Sequence, residues 1–365
     1  MRAGRIEAEG FRNIGSLDLA LPSAGAVLLG PNGHGKTNLL EAIYYPVLFR
    51  SLRGARDGEL VQNGGAAFHL RLEVSRATGD LVIEAGFQTA GRRKRVAVDG
   101  AETPRMTDAL GRWLAVAFLP TDVSLISGGA AERRQYLDRV LALSSRSYLR
   151  ALRQYRAAVE QRNAALRRDE TEAAAAFDPL MARFGAVVLA ERLAWVARYG
   201  PIWEAACEAL GEPLAVAIRY RGRSELVDPA AWPQALAAQR VRDRATGATT
   251  IGPHRDDLGF ELAGSPLRVA GSTGQQRTAA IALKLCERDT LEAAHGEPPA
   301  LLLDDVFAEL DRGRQERLAL RLGLGGPGQV FVTAPRADEL PPGLGLPVYR
   351  VERGVVTPSR EPLAA

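Results

Sequence analysis

Apolar and polar residues alternate over residues 5–11 and again over 16–21, with Arg12-Asn13-Ile14-Gly15 between them. A period of two puts alternate side chains on opposite faces, so the pattern predicts a hairpin of half-buried strands. Residues 25–29 are continuously apolar, as expected of a strand covered on both faces, and 38–45 have helical spacing. Residues 68–74 and 80–87 read as strands joined through Thr78-Gly79. The basic segment 91–95 reads as a turn before a strand at 96–98, and Asp99-Gly100 carries a hairpin signal. A short strand at 116–119 closes at Pro120.

The texture then changes. Residues 131–168 contain no Pro or Gly and keep helical spacing. Asp178-Pro179 reads as the N-cap and first turn of a second helix, which Gly200-Pro201 ends; Pro201 opens a third reaching Leu210. Strand character returns at 214–220 and 259–262, and helix at 278–287. The apolar runs 300–303 and 329–333 read as central strands. No internal repeat is visible, and the tail after Val356 reads as loose.

A chain of 365 residues buries a large core and has room for one big domain plus a lobe. Its 46% hydrophobic and 25% charged content exclude the disordered class. A formal charge of +4 permits nucleic-acid binding without arguing for it. Cys207 and Cys286 are far apart, which excludes a disulfide framework or a zinc spacing and fits a reduced, cytosolic setting. His34, His69, His254 and His295 are scattered, so no histidine metal site is expected. Glu7 and Glu9 come too early for a signal peptide, and no apolar run approaches the ~18 residues of a membrane helix, so a soluble protein is expected.

The chemistry concentrates in four places. Gly30-Pro31-Asn32-Gly33-His34-Gly35-Lys36-Thr37 fits G-x-x-x-x-G-K-[ST] between a strand-like and a helix-like stretch. Such a loop holds phosphate oxygens with backbone N–H groups at a helix N-terminus. Lys36 would reach the β- and γ-phosphates and the Thr37 hydroxyl would ligate Mg²⁺. Asp304, at the end of the apolar run Leu301-Leu302-Leu303, fits the Walker B pattern and would hold Mg²⁺; Asp305 follows where a carboxylate orients and deprotonates water. About thirty residues earlier, Gly271-Ser272-Thr273-Gly274-Gln275-Gln276-Arg277 resembles the ABC-type signature loop, and Glu309-Leu310-Asp311 resembles the D-loop. In that group, Ser272, Gly274 and Gln275 would hold the γ-phosphate bound by another subunit. Finally, 131–168 carries ten arginines against three acids. Arg146, Arg150 and Arg153 fall on one helix face, with Tyr148 and Tyr155 interleaved, a stripe suited to phosphate contacts. The basic segment 91–95 is a weaker candidate.

Over nearly its whole length the chain resembles the RecF family, the ABC-type ATPases of bacterial recombinational gap repair. The resemblance rests on Phe11-Arg12-Asn13, the extended phosphate loop through Ile43, Arg50-Ser51, Pro120-x-Asp122, Arg133-Arg134, Leu137-Asp138, Gly252-Pro253-His254-Arg255-Asp256-Asp257-Leu258, Gly274-Gln275-Gln276-Arg277-Thr278 and Leu302-Leu303-Asp304-Asp305. Gly252 to Leu258 is the most specific of these, because ABC transporters lack it. The chain departs at Gly33-His34, at Thr121, and at Thr333-Ala334-Pro335, where the ABC switch histidine would stand. A hydroxyl cannot act as a general base near neutral pH, and Asp305 is one methylene shorter than the usual ABC glutamate; both predict slow hydrolysis.

The resemblance implies an α/β fold, an ABC-type P-loop ATPase head like those of the Rad50 and SMC proteins, with an inserted helical lobe. Residues 1–129 and 246–365 would form the ATPase domain and 130–245 the lobe, used for DNA binding and dimerisation. Asn13 joins the loop among the nucleotide-binding residues. Two subunits would sandwich two ATP molecules and close over duplex DNA or single-strand/double-strand junctions, aiding RecA loading with RecO and RecR in the cytoplasm. Other readings are an ABC transporter subunit, for which Asp305 should be Glu, a non-catalytic ATP-gated DNA clamp, and a small-molecule P-loop kinase, which needs no signature loop.

Overall fold

The computed structural model describes residues 1–211, 215–308, 310–323 and 328–359. The strands of the first part are β1 (Arg2–Phe11), β2 (Ile14–Ala20), β3 (Gly25–Leu29), β4 (Ala67–Ser75), β5 (Leu81–Gln88), β6 (Arg93–Val98), β7 (Ala101–Glu102) and β8 (Ala115–Phe118). Then come β9 (Val216–Arg221), β10 (Asp257–Leu262), β11 (Ser265–Pro266), β12 (Ala300–Asp304), β13 (Val330–Ala334), β14 (Val348–Glu352) and β15 (Val355–Pro358). The chain forms two compact units, 1–121 with 287–365, and 122–286.

The first unit has two sheets. One is antiparallel with order β2-β1-β4-β5-β6-β7. The other has order β15-β14-β3-β13-β12-β8 and is parallel from β14 to β8. Alternation along β4 and β5 buries Phe68, Leu70, Leu72, Ile83, Ala85 and Phe87 on one face of the first sheet. Helix α1 (Lys36–Leu48) packs against both sheets, which is why it is buried nearly all round. Phe11, Tyr45 and Phe68 meet edge to face with ring centroids 5.2–6.2 Å apart, joining α1 to the antiparallel sheet.

Several elements differ from the sequence expectations. The basic segment at 93–95 lies inside β6, where Lys94 is drawn inward to Asp57 at 2.9 Å. The first hairpin turns on Arg12 and Asn13 alone, with Arg12 at φ 56°. The tail is ordered through β15, which pairs with β14 around Arg353-Gly354, both at positive φ, as a tight hairpin requires.

The second unit is mainly helical, with the antiparallel sheet β11-β10-β9. It runs from 122 to 286, so the strand at 257–262 and the signature loop belong to it and not to the ATPase half expected to begin at 246. The helix expected over 131–168 is two, Ala130–Ser144 and Arg146–Arg167. Ser145 leaves the helical region (φ −141°, ψ 115°), and its hydroxyl accepts from the Tyr148 N–H at 3.1 Å. A serine N-cap breaks the helix where no Gly or Pro does. Pro201, conversely, breaks nothing: Asp178–Ala209 is one helix. The lost N–H bond is offset because Trp195, Tyr199, Trp203 and Ala206 bury on either side of it, and Trp203 Nε1 donates to Ala279 O at 2.9 Å. By length and composition alone the stretch 171–209 is apolar enough to cross a membrane, a test that the core helix of a soluble protein also passes, and charged residues such as Arg183, Glu191 and Arg192 interrupt it. Mid-helix Arg192, 2% exposed, donates to Asp138 Oδ1 at 2.7 Å, Pro253 O at 2.7 Å, and the Tyr148 and Tyr220 hydroxyls at 3.1 and 3.2 Å.

Candidate active site

The phosphate-type loop leaves the C-terminal end of β3 and enters α1, at the carboxyl edge of the parallel strands where α/β sheets bind ligands. Gly33 and Gly35 adopt φ 80° and 110°, open to glycine without strain. A Cβ on Gly33 would meet nothing within 4 Å, whereas one on Gly35 would press on the Asn13 amide at 2.8 Å. No side chain caps α1 and no acid lies in its first turn, so its N-terminus is open to an anion. Lys36, 4% exposed, folds back over the loop and donates to Gly30 O at 2.7 Å, Pro31 O at 3.3 Å and Asn32 Oδ1 at 3.3 Å. Among the described residues no carboxylate pairs with it. A buried cation held only by neutral oxygens, above an uncapped helix end, fits an anionic ligand.

Asp304, at the strand end of Walker B pattern, lies two strands away from the loop. Thr37 Oγ1 donates to Asp304, 2.8 Å from Oδ1 and 3.0 Å from Oδ2. Between them, β13 brings Thr333 into register beside Asp304. The Thr333 hydroxyl lies 2.9 Å from Asp304 Oδ1 and 3.2 Å from Asp305 Oδ1, and it accepts the Asp305 N–H at 2.9 Å. Burial pushes the Asp304 carboxyl above its usual range, against the hydrogen bonds from Thr37 and Thr333. One carboxylate and one hydroxyl are oxygen ligands of the kind Mg²⁺ takes when phosphates complete its shell. Among the described residues no group of three or more His, Cys, Asp or Glu could hold a metal alone.

Behind the loop lies a polar network whose roles the sequence did not disclose. Buried Glu41 on α1 accepts from Arg12 at 2.9 Å, Arg53 at 2.6 Å and Ser51 at 2.5 Å. Burial pushes its carboxyl up, but those donors outweigh burial and hold it below the ordinary range. Arg53 also donates to Asn38 Oδ1 at 2.5 Å, and Asn38 donates to Asn13 Oδ1 at 2.7 Å. Asn13 Nδ2 in turn donates to His34 O at 3.2 Å. Asn13, expected at the nucleotide, thus has its amide engaged in holding the loop from behind. The β14–β15 turn adds a clamp, since Gly354 N donates to His34 O at 2.9 Å. Valines on both sides of Arg353-Gly354, with Val351 paired to Val356, were the available signal for that hairpin.

In the second unit Ser272 and Gly274 are exposed at the start of the helix Thr273–His295. Ser272 N donates to Gln275 Oε1 at 2.8 Å and Gln275 N to Ser272 Oγ at 3.2 Å, a reciprocal cap. Of the D-loop candidate, Glu309 lies outside the described residues, while Asp311 caps the helix Arg312–Leu322 in the first unit. Five of the ten arginines in this stretch are engaged by acceptors of the protein itself, though only Arg133 and Arg162 of them are buried. Arg133 pairs with Asp257, Arg156 with Asp138, Arg162 with Asp178 and Asp243, and Arg168 with Glu170, while Arg134 donates to Asp256 O. Arg146, Arg150 and Arg153 are exposed and make no ion pair among the described residues. The segment Gly252 to Leu258 is a structural hub. His254 Nε2 donates to Thr249 O at 3.0 Å, its Nδ1 accepts from Tyr155 at 2.7 Å, and Tyr220 donates to Asp256 at 2.8 Å.

No family model matches the chain. It is 36% identical over 383 residues to the DNA replication and repair protein RecF of Anaeromyxobacter dehalogenans (strain 2CP-C), an alignment covering 98% of this chain and 99% of that protein. It is 37% identical over 327 residues to the RecF of Synechococcus sp. (strain JA-3-3Ab), covering 84% and 85%. The solved structure of the recombination mediator protein RecF with ATP, of the RecFOR pathway, superposes with a TM-score of 0.90 at 29% identity, covering 98% of this chain and 97% of the other. The Smc head bound to the C-winged helix domain of ScpA superposes at 0.60 with 14% identity over 98% and 97%, a likeness of fold. With the phosphate-type loop and the strand end carrying Asp304 and Asp305 together in one unit, and with relatives matching 84–98% of its length, the chain belongs to the RecF family.

Proposed function

We propose that this protein is a DNA-repair ATPase of the RecF type that binds ATP at Gly30–Thr37 and acts on DNA in the cytoplasm. The observation that carries the reading is Lys36, a buried ammonium over the uncapped start of α1 with no carboxylate partner among the described residues. Thr37 and Asp304 would hold Mg²⁺, which when bound neutralises charge on the phosphate oxygens. Asp305 would orient water and take its proton as ATP is cleaved to ADP and phosphate. Ser272 and Gly274, exposed at a helix start, and half-buried Gln275 would meet the γ-phosphate of ATP held by a second copy. ATP would then join two subunits around duplex DNA, with Arg146, Arg150 and Arg153 on its phosphates, and slow hydrolysis would release it. Recognition of gapped DNA or strand junctions, and help to RecO and RecR in loading RecA, complete the proposal.

Sedimentation velocity with Mg-ATP, with and without gapped DNA, tests it beside Lys36→Arg and Ser272→Arg. A monomer-to-dimer shift that ATP drives, DNA enhances and Ser272→Arg abolishes supports the sandwich. A chain that stays monomeric with both ligands is not an ATP-gated clamp.

A further inference from the structure

Thr333 stands on the middle of three adjacent parallel strands, opposite Asp304 on β12 and Leu28 on β3. Its hydroxyl touches three groups: Asp304 Oδ1 at 2.9 Å, Asp305 Oδ1 at 3.2 Å and the Asp305 N–H at 2.9 Å. A hydroxyl has two lone pairs and one proton. The N–H uses a lone pair, so the two carboxylates compete for the proton. Asp304 has the closer approach, and Thr37 also reaches it. Asp305 sits at φ 49°, in the left-handed region where a side chain strains the backbone. Its N–H bond to Thr333 helps hold it there.

We propose that Thr333 is a positioning residue for ATP hydrolysis, its one hydroxyl proton bonded to Asp304 while that carboxylate faces inward and to Asp305 once Asp304 is engaged by metal and nucleotide. The switch is a rotation about Cβ–Oγ1, with no covalent bond made or broken. Asp305 is thereby oriented toward water only when the nucleotide site is filled. A hydroxyl at the place of a histidine is then no vacancy in the machinery, because it acts through the neighbouring carboxylate. The inference rests on the ATPase reading above.

The test compares Thr333→Val, which keeps the branched shape of a side chain only 1% exposed, with Thr333→Ser, which keeps the hydroxyl. The full chain is used throughout. kcat and KM for Mg-ATP, affinity for a fluorescent ATP analogue, and Mn²⁺ binding by electron paramagnetic resonance with a non-hydrolysable analogue are measured. In Thr333→Val, kcat should fall by about tenfold or more while nucleotide and Mn²⁺ affinities stay within about twofold, and Thr333→Ser should recover most of the rate. Thr333→Ala gives the same reading should the valine variant not fold. The proposal is overturned by a valine variant as fast as the parent, by a serine variant as slow as valine, or by Mn²⁺ affinity falling together with kcat. A parent chain that binds no ATP overturns the ATPase reading and this inference with it. An active parent beside an indifferent valine variant overturns this inference alone.

Discussion

Thr37 and Asp304 stand 267 positions apart in the chain, and the hydroxyl of the first donates to the carboxylate of the second at 2.8 Å. The strand order β3-β13-β12 brings the two together at one sheet edge. Because Asp304 is buried and its carboxyl is pushed up, it is poised to gain a cation. Asp304→Asn should therefore keep Mg-free ATP binding and lose the enhancement that Mg²⁺ brings. Titration of a fluorescent nucleotide with and without Mg²⁺ reads this directly; an undiminished Mg²⁺ effect would remove Asp304 from the metal site.

Lys36 predicts opposite effects on binding and on stability. Its ammonium is desolvated and meets only neutral oxygens. Lys36→Met should weaken ATP binding at least about tenfold, yet leave the nucleotide-free protein as stable as the parent or slightly more so, because a buried unpaired charge is removed. Thermal unfolding without nucleotide checks the second half. A clear drop in Tm would mean that the loop depends on this cation for its fold.

Arg146, Arg150 and Arg153 are exposed on one helix and have no acidic partner among the described residues. Replacing all three by alanine should leave the fold intact. It should lower the slope of log affinity for duplex DNA against log salt by about 2.7 if each arginine meets one phosphate. DNA binding followed across a salt series settles it: an unchanged slope moves the interface elsewhere.

His254 makes this lobe sensitive to acid. Burial, aided by the nearby Arg255 and Arg134 cations, pushes its pKa down to about 4, against the opposing pull of the Thr249 carbonyl. The neutral ring donates through Nε2 and accepts from Tyr155 through Nδ1, so protonation would remove an acceptor. The unfolded chain takes up this proton first. Stability from this group is full above pH 6.5 and declines as the pH falls toward about 4, by about 3 kcal/mol in total. Urea unfolding of the parent and His254→Gln from pH 4 to 7 should show a steeper acid loss in the parent. Parallel curves would show that the ring titrates normally.

The loop and strand end of the candidate nucleotide site were legible because their signals are local. Gly33 and Gly35 mark backbone angles that other residues adopt only with strain, Lys36 and Thr37 follow at fixed spacing, and an apolar run ending in Asp304 announces a central strand. The sequence also marked the exposed face holding Arg146, Arg150 and Arg153, since helical period alone sets it. Less legible were features where a packed partner outweighs local preference. Pro201 stays inside a helix because the aromatic side chains on either side of it are buried, and the β14–β15 hairpin is held by strand pairing and by contact with His34.

Local pattern and motif spacing by themselves marked strands and helices, a phosphate-loop motif, a strand of Walker B pattern and an arginine-rich helical stretch, because each depends on residues near one another in sequence; the ABC-type fold was what the resemblance implied. Only the tertiary structure decided which charges are spoken for. Arg133, Arg156 and Arg162 are tied to carboxylates, two of those from distant segments, Asn13 and Glu41 brace the loop from behind, and Thr333 lies between Asp304 and Asp305. Charge is a property of the residue, but its pairing depends on distance, and distance between remote residues is set by strand order and packing.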